Sequence, residues 1–142
     1  MQTTKNTPLS EGFVALALEE LGHDPADAKV PGCYAIRCNH PTKDLEALTR
    51  RWLDETGKEA PYLAECAEAE EIAYVGASGN IFDRLVDHTR RDKPKVRQAT
   101  FLKVFAPREL LAIYPDDEPF LHEQQYADNL AHAHESWYVH CR

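Results

Sequence analysis

A chain of 142 residues has the length of a single domain, residues 1–142, and at 43 % hydrophobic with 28 % charged residues it can bury a real core, which excludes wholesale disorder. The formal charge is −8, from 16 Lys and Arg against 24 Asp and Glu. That acidic balance argues against a phosphate-bearing partner only if the charge is spread evenly.

In chain order, residues 10–21 read as an N-terminal helix, with Val14, Leu18 and Leu21 on one stripe and Gly22 as its stop. Pro31-Gly32 breaks the chain before a strand over Cys33–Cys38. Thr42 is positioned to cap a helix over about 43–56, with Leu45, Leu48 and Trp52 on one face and Gly57 at its end. Residues 61–69 suit a further short helix, and Glu71–Val75 a strand. The turn Ala77-Ser78-Gly79-Asn80 leads into a helix over about 80–91, with Phe82, Leu85 and Val86 as its apolar stripe and Arg84, His88 and Arg91 on the opposite side. Pro94 opens another helix, to about Ala106, with Val96, Ala99 and Leu102 inward. Glu109–Tyr114 is the third strand, Asp116 or Asp117 caps a long helix to about His134, and Trp137–His140 is a short extended tail. Three strands with four or more helices make an α+β, or mixed α/β, domain.

No apolar run approaches the roughly 20 residues that span a bilayer, and Met1–Ser10 is polar, so no membrane partner and a cytoplasmic location are expected. The four cysteines, Cys33, Cys38, Cys66 and Cys141, suggest neither a secreted disulfide framework nor a paired Cys-x-x-Cys zinc site. Charge is uneven. Arg84–Arg108 holds eight basic and two acidic residues, a net +6, which leaves −14 for the rest of the chain. Arg90, Arg91, Lys93, Lys95 and Arg97 of this island are the candidate nucleic-acid contacts.

Two tripeptides stand out: Gly32-Cys33-Tyr34 on the first strand and Tyr74-Val75-Gly76 on the second. Arg84 follows Gly76 by eight residues, His88 follows Arg84 by four, and Glu123 lies in the last long helix. In this order the chain resembles the GIY-YIG nuclease superfamily over Pro31–Ile36, Ala73–His88 and, more loosely, Phe120–Leu130. The resemblance implies a small three-stranded antiparallel sheet flanked by helices, hydrolysis of DNA phosphodiesters, and one divalent ion, Mg²⁺ or Mn²⁺, held by Glu123. It matches Tyr34, Tyr74, Arg84, His88 and Glu123 to the family's catalytic positions.

The residue types suit that chemistry. Glu123 is a hard oxygen donor on the face of its helix shared with Ala127 and Leu130, where a carboxylate is costly unless paired or metal-bound. Arg84 can clamp a phosphate through its planar fork. Tyr34 is the family-matching general base, and a phenol with an ordinary pKa near 10 needs positive charge nearby to act at neutral pH. His88 can orient Tyr34, accept its proton or hold the phosphate. Tyr74 positions water or substrate, and Cys33 reads as a small buried hydrophobe.

The chain departs from the family in two places. Forty positions separate Tyr34 from Tyr74 where the family has a short hairpin, and the inserted segment, about 39–71, is helical and acidic. It is available to cover the site or meet a protein partner. The family's asparagine after the metal-binding helix also has no convincing counterpart; Asn129 lies within the helix, and His140 is the nearest substitute. Three readings follow: a metal-dependent DNA endonuclease, a non-catalytic module on the same fold that binds nucleic acid or protein, and a zinc-stabilised protein using Cys38, His40, His140 and Cys141.

Overall fold

The computed structural model describes residues 13–89 and 99–141. Helix α1 (Val14–Glu20) and a 3-10 turn at Pro25–Ala28 precede strand β1 (Gly32–Cys38). Helices α2 (Leu45–Thr56) and α3 (Leu63–Glu68) separate β1 from β2 (Glu71–Ser78). Then come α4 (Ile81–Thr89), α5 (Thr100–Val104), β3 (Pro107–Pro115), α6 (Pro119–Ala133) and β4 (Trp137–Cys141).

The sheet order is β3-β1-β2-β4. β1 pairs antiparallel with both β2 and β3, whereas β4 runs parallel to β2. The sheet is therefore four-stranded and mixed, and the expectation of three antiparallel strands holds only for β3-β1-β2. The tail after α6 is the difference. α6 carries the chain back across the sheet, and the tail then pairs with β2 over Glu71–Val75, so that this edge is not left with unpaired backbone groups.

Each strand turns alternate side chains to opposite faces. Tyr34, Ile36, Cys38, Ile72 and Tyr74 enter the larger core with Leu18, Leu48, Trp52, Leu85, Leu102 and Phe105. Ala35 and Val75 face the other way, where Ala127 of α6 covers them with Tyr126 and Leu130 at its margin. The sheet thus separates α6 from the other helices.

The helical segment between β1 and β2 belongs to the larger core. Leu48 and Trp52 of α2 and Leu63, Cys66 and Ala67 of α3 are buried there, and the Trp52 ring makes edge contacts with Tyr62 and Phe101 at 5.6 and 6.4 Å. Leu45, expected on the same face, stays exposed in the first turn. Asp44 rather than Thr42 caps α2, its carboxylate accepting from the Glu46 and Ala47 amides, while Thr42 Oγ1 accepts from Asp44 N. Gly57 ends α2 in the left-handed region at φ +72°. No helix among the described residues is long and apolar enough to cross a membrane.

Candidate active site

β1 and β2 bring the two tripeptides side by side, with Tyr34 paired to Gly76 and Gly32 to Ser78. The pairing explains both glycines sterically. A Cβ on Gly76 would overlap the Tyr34 hydroxyl and stand 2.6 Å from its Cζ. A Cβ on Gly32 would stand 2.5 Å from the Tyr114 carbonyl oxygen and 2.9 Å from Pro115 Cα. Both lie well inside van der Waals contact. Gly76 makes room for a phenol, and Gly32 for the backbone at the end of β3.

Tyr34 is 1 % exposed. Its Oη lies 2.6 Å from His88 Nε2, a short buried hydrogen bond from β1 to the last turn of α4. Tyr74 completes a compact group of three rings, 6.4 Å from Tyr34 and 5.9 Å from His88 between centroids. His88 is 0 % exposed and lies with Ile81 and Leu85 on the buried face of α4. This corrects the expected division of α4, which set His88 opposite the apolar stripe. Positions 81, 85 and 88 repeat at helical spacing, and the buried phenol satisfies the imidazole there.

One turn earlier, Arg84 hydrogen-bonds the Tyr34 side chain and lies 4.0 Å from Asp87. Burial raises the Tyr34 phenol far above its ordinary range, and neighbouring Tyr74 and the Glu123 charge push the same way. Arg84 pulls against them through its charge and its hydrogen bond, but desolvation dominates. The expectation that positive charge eases Tyr34 ionisation is therefore met in sign and not in net effect.

Glu123 sits one turn into α6 and is 8 % exposed, with Oε2 fully buried. α6 covers the other face of the sheet, where the neighbouring β1 residue Cys33 points. Burial pushes the Cys33 thiol up to about 12, with the Glu123 and then the Asp116 charge adding to it, so Cys33 is a neutral, fully buried group as its small-hydrophobe reading requires. The Glu123 charge thus raises both the Cys33 thiol and the Tyr34 phenol, acting on the phenol less than burial, Tyr74 or Arg84 do.

Of the expected site residues, Tyr34, Tyr74, Arg84 and His88 form one contact group, and Glu123 is linked to it by charge. Arg90, Arg91, Lys93, Lys95 and Arg97, with Val96, lie outside the described residues. The zinc set does not assemble. His140 stacks on Phe101 in the larger core, Cys141 faces the α6 side, and no group of three or more His, Cys, Asp or Glu suited to a metal occurs among the described residues. His140 instead lines the tyrosine group, 6.1 Å from Tyr74, and burial lowers its pKa from 6.5 to about 4.

The sequence offers Asp116 or Asp117 as the cap of α6, but neither caps it, and the surroundings of Asp116 are not foreseen. The Asp116 carboxylate accepts hydrogen bonds from Glu118 N, His122 Nδ1 and Tyr126 Oη at 2.8, 2.8 and 2.9 Å. The available signal was the spacing: 122 and 126 are i, i+4 on α6. No family model matches this chain, and neither does any curated protein or solved structure.

Proposed function

We propose that the protein is a metal-dependent endonuclease that hydrolyses DNA phosphodiester bonds through a GIY-YIG-type site. The observation that carries this reading is the 2.6 Å Tyr34–His88 bond with Arg84 on the same phenol. A proton acceptor, its relay partner and a phosphate-binding cation meet at one point, which is the set that attack of water on a phosphodiester needs.

The buried phenol does not supply tyrosinate at neutral pH. Tyr34 acts as a conduit: its oxygen takes the proton of the attacking water while its own proton passes to His88 Nε2. This requires neutral His88 with the proton on Nδ1, and it leaves an imidazolium beside Arg84 as the phosphate gains charge. The bond from phosphorus to the leaving sugar oxygen then breaks, that oxygen takes a proton from solvent, and His88 returns its proton to solvent for the next turnover. Arg84 turns its fork from Asp87 toward the phosphate oxygens. Tyr74, held between His88 and Phe101, keeps the Tyr34 ring in place.

Glu123 fits a single divalent ion of the Mg²⁺ type. It is a nearly buried hard oxygen donor within electrostatic reach of Tyr34, and Mg²⁺ keeps most of its waters and needs few protein ligands. When bound there, such an ion supplies charge to balance the phosphate oxygens. Cleavage of plasmid, single-stranded and branched DNA with Mg²⁺ or Mn²⁺ tests the proposal. Cleavage that disappears in Tyr34→Phe, Arg84→Ala and Glu123→Ala is expected. DNA binding without cleavage under any metal would favour the non-catalytic module.

A further inference from the structure

The end of β3, the turn that follows it and the first residue of α6 each contact the start of β1. Asp116 N donates to Pro31 O at 3.0 Å. Cys33 Sγ donates to Pro119 O at 3.3 Å, across 86 positions of sequence. Gly32 approaches Tyr114 and Pro115 so closely that no side chain fits between them. The chain that carries Glu123 is therefore tied to the strand that carries Tyr34.

Asp116 stands where these ties meet the helix. One carboxylate oxygen, Oδ2, accepts from both His122 Nδ1 and Tyr126 Oη, while Oδ1 accepts from Glu118 N just before the first turn. His122 and Tyr126 belong to successive turns of α6 and flank Glu123 in sequence. The Tyr126 ring is fixed from its other side by Tyr114 of β3, stacked at 4.4 Å with 9° between planes. These donors, led by the Glu118 amide, hold the Asp116 carboxyl below its usual range, so it remains an acceptor for all three. α6 has no side-chain cap of its own, and Asp116 instead ties side chains of its first two turns together.

We propose that Asp116 is the positioning residue for Glu123: gripped by His122 and Tyr126, it seats the first turns of α6 against the start of β1 and so sets where the Glu123 carboxylate stands relative to Tyr34. The inference rests on Glu123 being the ion-binding carboxylate. Groups that hydrogen-bond a metal ligand directly change metal affinity about ten-fold or more when removed; Asp116 acts one step further out, through His122 and Tyr126, so the ten-fold figure is the upper end of its effect.

The test is Mn²⁺ titration followed by electron paramagnetic resonance, on wild type, Glu123→Ala, Asp116→Ala and Tyr126→Phe, well below each melting temperature. One Mn²⁺ site is expected in wild type and none in Glu123→Ala. Asp116→Ala should weaken Mn²⁺ several-fold, up to about ten-fold. Tyr126→Phe keeps the ring stack and removes one donor, so it should weaken Mn²⁺ by a few-fold, and it decides the matter if Asp116→Ala does not fold. A role confined to stability would lower the melting temperature and leave the Mn²⁺ constant unmoved. Unchanged affinity in the folded clamp variants, with binding lost in Glu123→Ala, overturns this inference and leaves the ion site standing. Wild type that takes up no Mn²⁺, or Glu123→Ala that keeps it, overturns the ion reading of Glu123 and this inference with it.

Discussion

Gly76→Ala places one methyl group against the centre of the site. The new Cβ stands 2.6 Å from Tyr34 Cζ, and a relaxed carbon contact is about 3.5 Å, so ring and strand must separate by about 0.9 Å. Tyr34 has little room, being 1 % exposed between His88 and Tyr74. A displacement of that size disturbs the 2.6 Å bond to His88, which reaches about 3.5 Å, the outer limit of a hydrogen bond, where the motion runs along it. Overpacking costs roughly 1–3 kcal/mol and the weakened buried bond about 1 kcal/mol more, for a fall in melting temperature of roughly 5–12 °C. Cleavage should drop about 100-fold, the usual effect of an ångström-scale misplacement of a reacting group. Thermal melts by circular dichroism and single-turnover cleavage read the two effects separately. In a Tyr34→Ala background the methyl group has no ring to meet, and the stability cost of Gly76→Ala should vanish or reverse, since alanine is the better strand residue. A Gly76→Ala protein that melts with wild type, or one whose loss persists without the ring, refutes the steric argument.

Trp52→Ala should cost about 3–5 kcal/mol in urea unfolding, because the ring is buried among Tyr62, Phe101 and Phe105; a loss below about 1 kcal/mol would show that the segment between β1 and β2 is not part of the core. His140 is neutral when folded, with its pKa lowered from 6.5 to about 4, so the unfolded chain takes up the proton first. The stability it protects is complete above pH 6.5 and is lost as pH falls toward 4, by about 1–2 kcal/mol after allowing for its partial exposure. His140→Phe should flatten the melting temperature between pH 7 and pH 4.5, and an unchanged slope counts against burial as the cause. Arg84→Lys keeps the charge and removes the fork, so cleavage should fall by about 100-fold while melting moves by no more than about 2 °C; an unaltered rate excludes Arg84 as the phosphate clamp.

Local signals carried most of the elements. The Leu48–Trp52 spacing marks the inner face of α2, Gly57 ends it, and Pro31-Gly32 opens β1, each through interactions within a few residues. What escaped depends on residues far apart in sequence. His88 looks like a surface residue by its type, and its burial follows from a phenol 54 positions away. β4 has five residues, and its place comes from the edge of β2 and the path of α6. Asp116 has the sequence position of a helix cap, yet its partners lie in the first two turns of α6 and its amide reaches back to Pro31. The sequence pattern groups Tyr34, Tyr74 and His88, which the fold does bring together. The desolvation that dominates the Tyr34 phenol is not legible in that pattern, because it depends on how completely the core closes around the ring.

The two tripeptides act at different contacts, and this bears on how the site keeps its geometry. Gly76 faces the Tyr34 phenol directly, so its effect is on the Tyr34–His88 hydrogen bond. Gly32 faces backbone at Tyr114 and Pro115, the last residues before the segment that Asp116 clamps. A side chain at Gly32 cannot be relieved by a rotamer change, because the Tyr114 carbonyl and Pro115 Cα are main-chain atoms; the strand or the segment must move. Either motion shifts α6 against β1, and with it the Glu123 carboxylate against Tyr34. Substitution at Gly76 should therefore impair proton transfer with ion affinity intact, whereas substitution at Gly32 should weaken the ion site first. On the proposed mechanism the two glycines therefore bear on different parts of the site, Gly76 on the Tyr34–His88 pair and Gly32 on the seat of α6, with β1 carrying both Tyr34 and the Gly32 contact.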